Sequence, residues 1–166
     1  MTQQHDFEQL MALYYGNLQR LAASYEVNLS LREELLQDIL ECIWKSLKNF
    51  RGEASIKTYI FQIAHFRGAR HVQQQMRRVD TYHNDSIEPI DPDNPQQQAE
   101  QQQQIDKLII AMQQLPIIQR QLISLFLDGF SYQEMATITG LKSNHIGVSL
   151  NRAKTALKSH MEQYYA

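Results

Sequence analysis

Apolar residues recur at steps of three and four along most of this chain, which is the spacing of one helix face. In the first half, the pattern predicts one helix through residues 7 to 21, a second over residues 31 to 50, and a third from about Ile56 toward Met76. No segment alternates with a two-residue period between turn signals, so the fold class is predicted to be all-α. The positions predicted to face inward in the first two helices are Phe7, Leu10, Met11, Tyr14, Leu18 and Leu21, then Leu36, Leu40, Ile43, Leu47 and Phe50.

The C-terminal part shows shorter helices with clear start and stop signals. A helix over residues 105 to 115 ends before Pro116, whose missing N–H suits the first turn of the next helix. Residues 131 to 134 read SYQE, a capping box that starts a short helix, and Gly140 favours the end of that helix. A last helix is predicted over residues 143 to 164. The residues that the helix after Pro116 is predicted to bury are Ile118, Leu122, Leu125 and Phe126.

The composition changes sharply between these two parts. Three of the four prolines lie in an acidic stretch, and the sequence QQQAEQQQQ follows it. Such a segment cannot bury enough apolar surface to offset the entropy of the chain. The sequence therefore predicts two small helical domains, residues 1–78 and 102–166, joined by a flexible acidic and glutamine-rich linker at residues 79–101. Glutamine is a fair helix former, so the glutamine run could instead extend the following helix.

The formal net charge of -2 averages over segments of opposite sign. From Arg51 to Arg78 the only acid is Glu53, residues 80–106 carry acids without any lysine or arginine, and the C-terminal end is basic again. Basic segments in both domains fit a nucleic-acid partner. The acidic segment between them raises the hypothesis that the linker folds back and competes with DNA.

Several classes of protein are disfavoured. No apolar run approaches the length of about 20 residues that crosses a bilayer, and the start, MTQQHDFEQL, is not a signal peptide. We therefore expect a cytoplasmic protein without a membrane span. The single cysteine, Cys42, lies among apolar residues at helical spacing and is predicted to be a buried thiol. The sequence has no glycine-rich phosphate loop, metal-spaced cluster or paired nucleophile, which argues against an enzyme and predicts no cofactor and no metal.

Ala136, Gly140 and Ile146 have the spacing of a helix-turn-helix, in which a small residue, a turn glycine and an aliphatic anchor bring two helices together. A plain helical hairpin often shows two of these features, so the spacing alone is moderately specific. In a helix-turn-helix, the first turns of the second helix enter the major groove of DNA. The candidate groove contacts are Lys142, Ser143, Asn144, His145, Ser149 and Arg152.

Two long stretches are more specific. The first, LLQDILECIWKSLKNFRGEASIKTYIFQIA, contains a short Arg-Gly-Glu loop between two helices. The second, LPIIQRQLISLFLDGFSYQEMATITGLKSNHIGVSLNRAKTAL, contains the helix-turn-helix. Both resemble the extracytoplasmic-function (ECF) sigma factors of the sigma-70 family, bacterial subunits that direct RNA polymerase to particular promoters. The resemblance covers everything except the linker and the extreme termini.

This resemblance implies a role for each domain. In the family, the first domain binds the polymerase clamp and opens the minus-10 element of the promoter, while the second domain reads the minus-35 element. The implied partners are core RNA polymerase, promoter DNA and an anti-sigma protein. Opening DNA requires a small pocket, aromatic surfaces and cations, all of which the loop and the following helix offer. The residues assigned to minus-10 DNA are Arg51, Gly52, Glu53, Ala54, Ser55, Lys57, Tyr59, His65, Phe66, Arg67 and Arg70.

A polar stripe on the second predicted helix is the candidate polymerase contact. Periodicity alone favours an ordinary solvated face, but Gln37 and Asp38 coincide with polymerase-contacting positions of the family. Trp44 fits either core packing or a partner contact, and core packing is an alternative for Tyr59 and Phe61 as well. The stripe consists of Glu34, Gln37, Asp38, Glu41 and Lys45.

Some positions depart from the family pattern. Phe66 stands where an asparagine is common, and Gly147 and Ser149 occupy positions that are often basic. Gly68 is expected to weaken its helix by about 1 kcal/mol relative to alanine. The alternative function is a stand-alone helix-turn-helix regulator whose N-terminal helices mediate dimerisation or sensing.

Overall fold

The computed structural model describes the backbone of residues 3–79 and 96–163 and the side chains of residues 3–78 and 99–163. Within these residues the chain forms seven α-helices, one 3-10 turn at Leu47–Asn49 and no strand, which confirms the all-α prediction. Most of the linker lies outside the described residues. The hypothesis that its acids compete with DNA concerns those residues and stays a prediction. The helices are α1 (Gln3–Tyr25), α2 (Leu29–Ser46), α3 (Ile56–Val79), α4 (Gln96–Gln113), α5 (Ile117–Leu127), α6 (Tyr132–Thr139) and α7 (Ser143–Gln163).

Two predicted boundaries differ from the structure. Helix α4 begins at Gln96, so the glutamine run belongs to this helix, which is the alternative that the sequence left open, and not to a linker that ends at residue 101. Helix α2 ends at Ser46, and after the 3-10 turn Phe50 is extended, with φ -67° and ψ 124°. Because α2 ends early, residues 50 to 55 form the loop that leads into α3.

Helices α1, α2 and α3 form the N-terminal core. Leu21 of α1 and Phe61 of α3 are fully buried in it. On α2 the buried positions are Leu35, Ile39 and Ile43, whereas Leu36 and Leu40, which were predicted to face inward, are only partly buried. The α2 sequence has adjacent apolar residues, and packing against α1 and α3 decides which one is covered. Of the other predicted inward positions, Leu18 is fully buried, whereas Phe7, Leu10, Met11, Tyr14, Leu47 and Phe50 are partly buried.

Aromatic and sulfur-containing side chains lie at the edges of this core. The ring of Trp44 meets that of Phe7 edge-on, with 5.3 Å between their centroids, so Trp44 packs within the domain. Cys42 is partly buried, although the sequence predicted a buried thiol.

The C-terminal core is built by α4 to α7 and includes Leu122, Met135 and Ile146. The predicted capping box is confirmed, because Ser131 Oγ accepts from the Glu134 backbone N–H at 3.2 Å and the Glu134 carboxylate accepts from the Ser131 N–H at 2.7 Å. Gly140 ends α6 with a left-handed φ of 77°, as predicted.

Two predictions around α5 need correction. Phe126 was predicted to be buried but is 43% exposed, and Lys154 Nζ lies 3.7 Å from its ring centroid. The core face of α5 carries Leu122 and Leu125, so Phe126 at the last turn faces outward. Pro116 precedes α5 as its N-cap residue, with φ -54° and ψ 150°, and is not part of the first turn.

The two domains pack directly on each other and share one continuous core. The rings of Phe61 and Phe130 lie 5.0 Å apart across the boundary. Polar contacts cross the same boundary: the Gln113 side chain donates to the Ser24 carbonyl at 2.9 Å, and the Asn17 side chain donates to the Asp128 carboxylate at 2.8 Å. The structure is therefore a closed arrangement of both domains.

Candidate nucleic-acid interface

The loop before α3 presents its first residues to solvent. Arg51, Gly52 and Glu53 are exposed, Ala54 is partly buried, and Ser55 is exposed at the start of the helix. Gly52 has a φ of 77°, in the left-handed region that glycine adopts without strain. No heavy atom lies within 4 Å of the place where its Cβ would be. Glycine is therefore favoured here by the left-handed backbone conformation and not by a lack of space.

Side chains from α3 hold the loop in place. The Tyr59 hydroxyl donates to the Ser46 carbonyl at 2.9 Å, and its ring lies 5.0 Å from that of Phe50. Ser55 Oγ accepts from the Thr58 backbone N–H at 3.1 Å and so caps the first turn of α3. Tyr59 thus holds the first end of the loop and is partly buried, Ser55 holds the second end, and Phe61 lies entirely in the core.

His65 does not lie at the surface. It is 1% exposed, and a hydrogen bond of 2.7 Å joins its Nδ1 to the Tyr25 hydroxyl. Full burial lowers the pKa of His65 to about 3, and burial also raises the pKa of Tyr25. His65 is therefore a neutral core residue, and its predicted DNA contact does not fit this position.

Arg67 links the candidate DNA surface to the candidate polymerase surface. Its Nε and terminal nitrogen donate to the two carboxylate oxygens of Asp38 at 2.8 and 2.6 Å. This bidentate pair joins α3 to α2 and raises the pKa of Arg67. The sequence assigned these residues to different partners, and the structure places them in contact.

The remaining stripe on α2 is open to solvent. Glu34, Gln37, Glu41 and Lys45 are exposed, and Asp38 is partly buried beside Arg67. The Lys45 ammonium and the Glu41 carboxylate form an exposed ion pair one turn apart. The structure therefore presents all five predicted residues along one side of α2.

Other predicted residues of α3 differ in their surroundings. Phe66 is 65% exposed, and Arg70, one turn later on the same helix, is also exposed. Lys57 is partly buried, because its Nζ donates to the Asp128 carbonyl at 3.3 Å and lies 4.4 Å from the centroid of the Phe130 ring. Sequence reasoning missed Asp128 and Phe130 as neighbours of this loop, and nothing in the sequence pairs residues so far apart.

The helix-turn-helix has the predicted arrangement. Ile146 anchors α7 in the core, Ala136 is partly buried, and a Cβ on Gly147 would lie 3.4 Å from the ring of Tyr132. Of the candidate groove contacts, Ser149 is partly buried and the others are exposed. The exposed members of this set are Lys142, Ser143, Asn144, His145 and Arg152.

A shallow groove of about 490 Å³ continues along α7 from this surface. Arg152 lines it together with Val148, Asn151 and Thr155, which the sequence did not single out. Val148 and Thr155 lie four residues before and three residues after Arg152, and this spacing could have identified them, because residues three and four apart share one face.

The sequence matches known families in two places. Residues 10–78 match the family described as Sigma-70 region 2, and residues 105–157 match Sigma-70, region 4. The ECF RNA polymerase sigma factor SigX of Bacillus subtilis (strain 168) is 26% identical over 164 residues, which cover 94% of this chain and 84% of SigX. The RNA polymerase sigma factor YlaC of the same strain is 25% identical over 172 residues, which cover 97% of this chain and 95% of YlaC.

Solved structures share the fold. The sigma factor RpoE, in complex with the anti-sigma factor NepR from Bartonella quintana, has a TM-score of 0.75 and 24% identity, covering 95% of this chain and 97% of RpoE. CnrH, in complex with the cytosolic domain of CnrY, has a TM-score of 0.69 and 18% identity, covering 96% and 90%.

These matches define a class of transcription proteins. The chain belongs to the sigma-70 family, and within it to the ECF sigma factors, which act in transcription initiation. The two family matches fall on α1 to α3 and on α4 to α7. None of the helices within residues 3–79 and 96–163 is long and apolar enough to cross a membrane.

Proposed function

We propose that this sigma factor binds core RNA polymerase through the α2 stripe, opens the minus-10 element with the loop before α3, and reads the minus-35 element with α7. The observation that carries this proposal is the exposed loop with Arg51, Gly52 and Glu53, which Tyr59 and Ser55 brace against the helices on either side. Because the loop is already held in place, it can bind a base that has left the stack without the entropy cost of ordering the loop first.

The face of α3 that follows the loop would hold the opened strand. Phe66 offers an exposed aromatic ring, and unstacked bases of any sequence can stack on such a ring. Arg70, four residues later, offers a cation to phosphates, which adds affinity with little sequence information. We leave His65 out of this surface because it is buried.

Polymerase binding by α2 is supported by the exposure of the stripe. Glu34, Gln37 and Glu41 have no core role that would explain their position, and Asp38 is oriented by Arg67. Through this pair, the position of the polymerase-binding helix depends on α3, which carries the DNA-binding face.

The minus-35 element would be read by the first turns of α7. Lys142, Asn144 and His145 are exposed there, and Arg152 is exposed about two turns further along the helix. Few of these residues are cationic, so this domain alone should bind DNA weakly, and attachment to the polymerase raises its effective concentration at the promoter.

An anti-sigma protein is proposed as a further partner. Support comes from RpoE and CnrH, whose structures were solved with NepR and with the cytosolic domain of CnrY. Both share the fold of this chain over nearly their whole length.

Run-off transcription with core polymerase and a library of genomic fragments tests the proposal. The full chain should direct transcripts from a limited set of fragments, and Arg51→Ala should reduce their yield several-fold. Lys158→Ala is the matched control, because Lys158 is an exposed cation of α7 outside the proposed surfaces. A chain that binds duplex DNA unaided but directs no transcript would favour the stand-alone regulator instead.

A further inference from the structure

The outward face of α7 carries a large apolar side chain among its polar ones. Val148 is 56% exposed and is not part of the hydrophobic core formed by the described residues, to which α7 contributes Ile146, Leu150 and Ala153. Successive residues of a helix are about 100° apart, so Val148, two residues from both Ile146 and Leu150, points away from the core. Core packing therefore does not account for Val148.

Helix stability does not account for this valine either. Valine is branched at Cβ and forms helices less readily than alanine, so an exposed alanine would stabilise α7 more than Val148 does. A single exposed valine is nevertheless ordinary on a protein surface. The surroundings of Val148 therefore decide whether it has a role.

These surroundings place Val148 at the centre of the side of α7 that is proposed to read DNA. Asn144 and Arg152, one turn before and one turn after it, are exposed on the same face. Gly147 has no side chain, and Ser149 is small and partly buried. Neither neighbour in the chain therefore shields the two methyl groups of Val148, which are free to approach a base edge.

The chemistry of valine limits what it can read in the major groove. Its side chain has neither a hydrogen-bond donor nor an acceptor, and the apolar group that base edges present there is the 5-methyl group of thymine. Against a polar base edge, Val148 would displace water without replacing its hydrogen bonds, which is unfavourable. Asn144 has complementary chemistry, because an asparagine amide pairs with N6 and N7 of adenine.

The spacing of these side chains fits the spacing of base pairs. Residues four apart are separated by about 6 Å along the helix axis, and stacked base pairs by about 3.4 Å. Asn144 and Val148 therefore reach different base pairs, one or two steps apart, when α7 lies along the groove. We propose that Val148 reads a thymine of the minus-35 element through contact with its 5-methyl group. The inference rests on the proposed function of α7 and adds a residue and a base preference to it.

Two variants separate this role from folding. Val148→Ala removes the methyl groups that would touch the thymine but favours the helix, so it should unfold at the same urea concentration as the parent or a higher one. Leu13→Ala is the matched control, because Leu13 is an exposed, branched apolar side chain of α1 outside every proposed surface.

Holoenzyme, formed from the full chain and core polymerase, is tested on a promoter that run-off transcription has identified. Deletions from the upstream end locate its minus-35 element, and templates are then made in which uracil replaces one thymine of this element at a time, on either strand. Uracil keeps Watson–Crick pairing and lacks only the 5-methyl group. Transcript yield is measured well below saturation with holoenzyme, where it follows the affinity for the promoter.

With the parent, uracil at one position should lower the yield about fourfold, the size expected for one buried methyl contact. Val148→Ala should give this lower yield on the thymine template and lose nothing more on the uracil template, whereas Leu13→Ala should behave like the parent. A parent that is insensitive to uracil at every position, or a Val148→Ala variant that keeps the parent's sensitivity, would overturn the inference and leave the proposed function standing. A chain that directs no transcript from any fragment would overturn the proposed function, and this inference with it.

Discussion

Gly68 of α3 lies directly against the ring of Tyr25 at the end of α1: a Cβ on Gly68 would come within 2.4 Å of both Cδ2 and Cε2 of that ring. Glycine costs an exposed helix about 1 kcal/mol relative to alanine, but here it allows the two helices to cross. Gly68→Ala should therefore lower the free energy of unfolding by about 2 kcal/mol, because Tyr25 is buried and cannot turn away. Urea unfolding followed by circular dichroism measures this difference.

Gly16→Ala is the matched control for that experiment. Gly16 is also inside a helix, but its Cβ would meet only the flexible end of Arg20 at 3.5 Å, an ordinary contact. This substitution should raise the free energy of unfolding by up to about 1 kcal/mol. Equal gains from both substitutions would mean that the Tyr25 ring moves aside without cost.

The stability of the protein should depend on pH through His65. Burial lowers its folded-state pKa from 6.5 to about 3, so between these values the unfolded chain binds a proton that the folded chain excludes. Stability should be full above pH 6.5 and fall as the pH drops toward 3, by on the order of 1 kcal/mol per pH unit at most. Urea midpoints measured across this range give the slope.

Substitution of His65 distinguishes this cause from others. His65→Gln removes the titrating group and should flatten the dependence, whereas His145→Gln, at an exposed position of α7, should leave it as in the parent. An unchanged slope in His65→Gln would place the acid sensitivity in another group.

The sequence predicted local features well because their causes are local. The capping box at Ser131 and the helix end at Gly140 depend on a few adjacent residues, and both were confirmed. The α2 core face was predicted correctly at Ile43, but Leu36 was chosen over Leu35, because the two are adjacent and equally apolar and only the approach of α1 and α3 selects between them. Gly68 was read as a weakness of its helix for the same reason: its partner, Tyr25, belongs to another helix.

The candidate site was predictable to a lesser degree than the helices. The exposed loop around Arg51 and the exposed first turns of α7 follow from motifs that lie within one segment. The burial of His65 and the contact of Lys57 with Phe130 depend on how two domains pack, and helical periodicity carries no information about that packing. The resemblance to a family identified which surfaces to consider, and the structure decided which side chains reach them.

The bidentate pair between Arg67 and Asp38 should affect polymerase binding. Arg67→Lys keeps the positive charge but loses the two parallel hydrogen bonds, so Asp38 and α2 are held less firmly. Because the pair is partly exposed, we expect affinity for core polymerase to fall only about threefold, as measured by anisotropy of the labelled sigma factor. Arg70→Lys, at an exposed position of the same helix, should bind polymerase like the parent. Equal losses in both would indicate a general contribution of arginine on α3.

The salt dependence of duplex binding tests which cations of α7 contact phosphate. Each phosphate contact releases about one counterion, so removing one lowers the slope of log K against log salt concentration by about 1. Lys142→Ala and Arg152→Ala should each do so, because both side chains are exposed on the proposed groove-reading side. Lys154→Ala should leave the slope unchanged, because Lys154 lies over the Phe126 ring and its cation is engaged there. A loss of slope in Lys154→Ala without a loss in Lys142→Ala would place the DNA on a different face of α7 and overturn the proposed orientation of the helix-turn-helix.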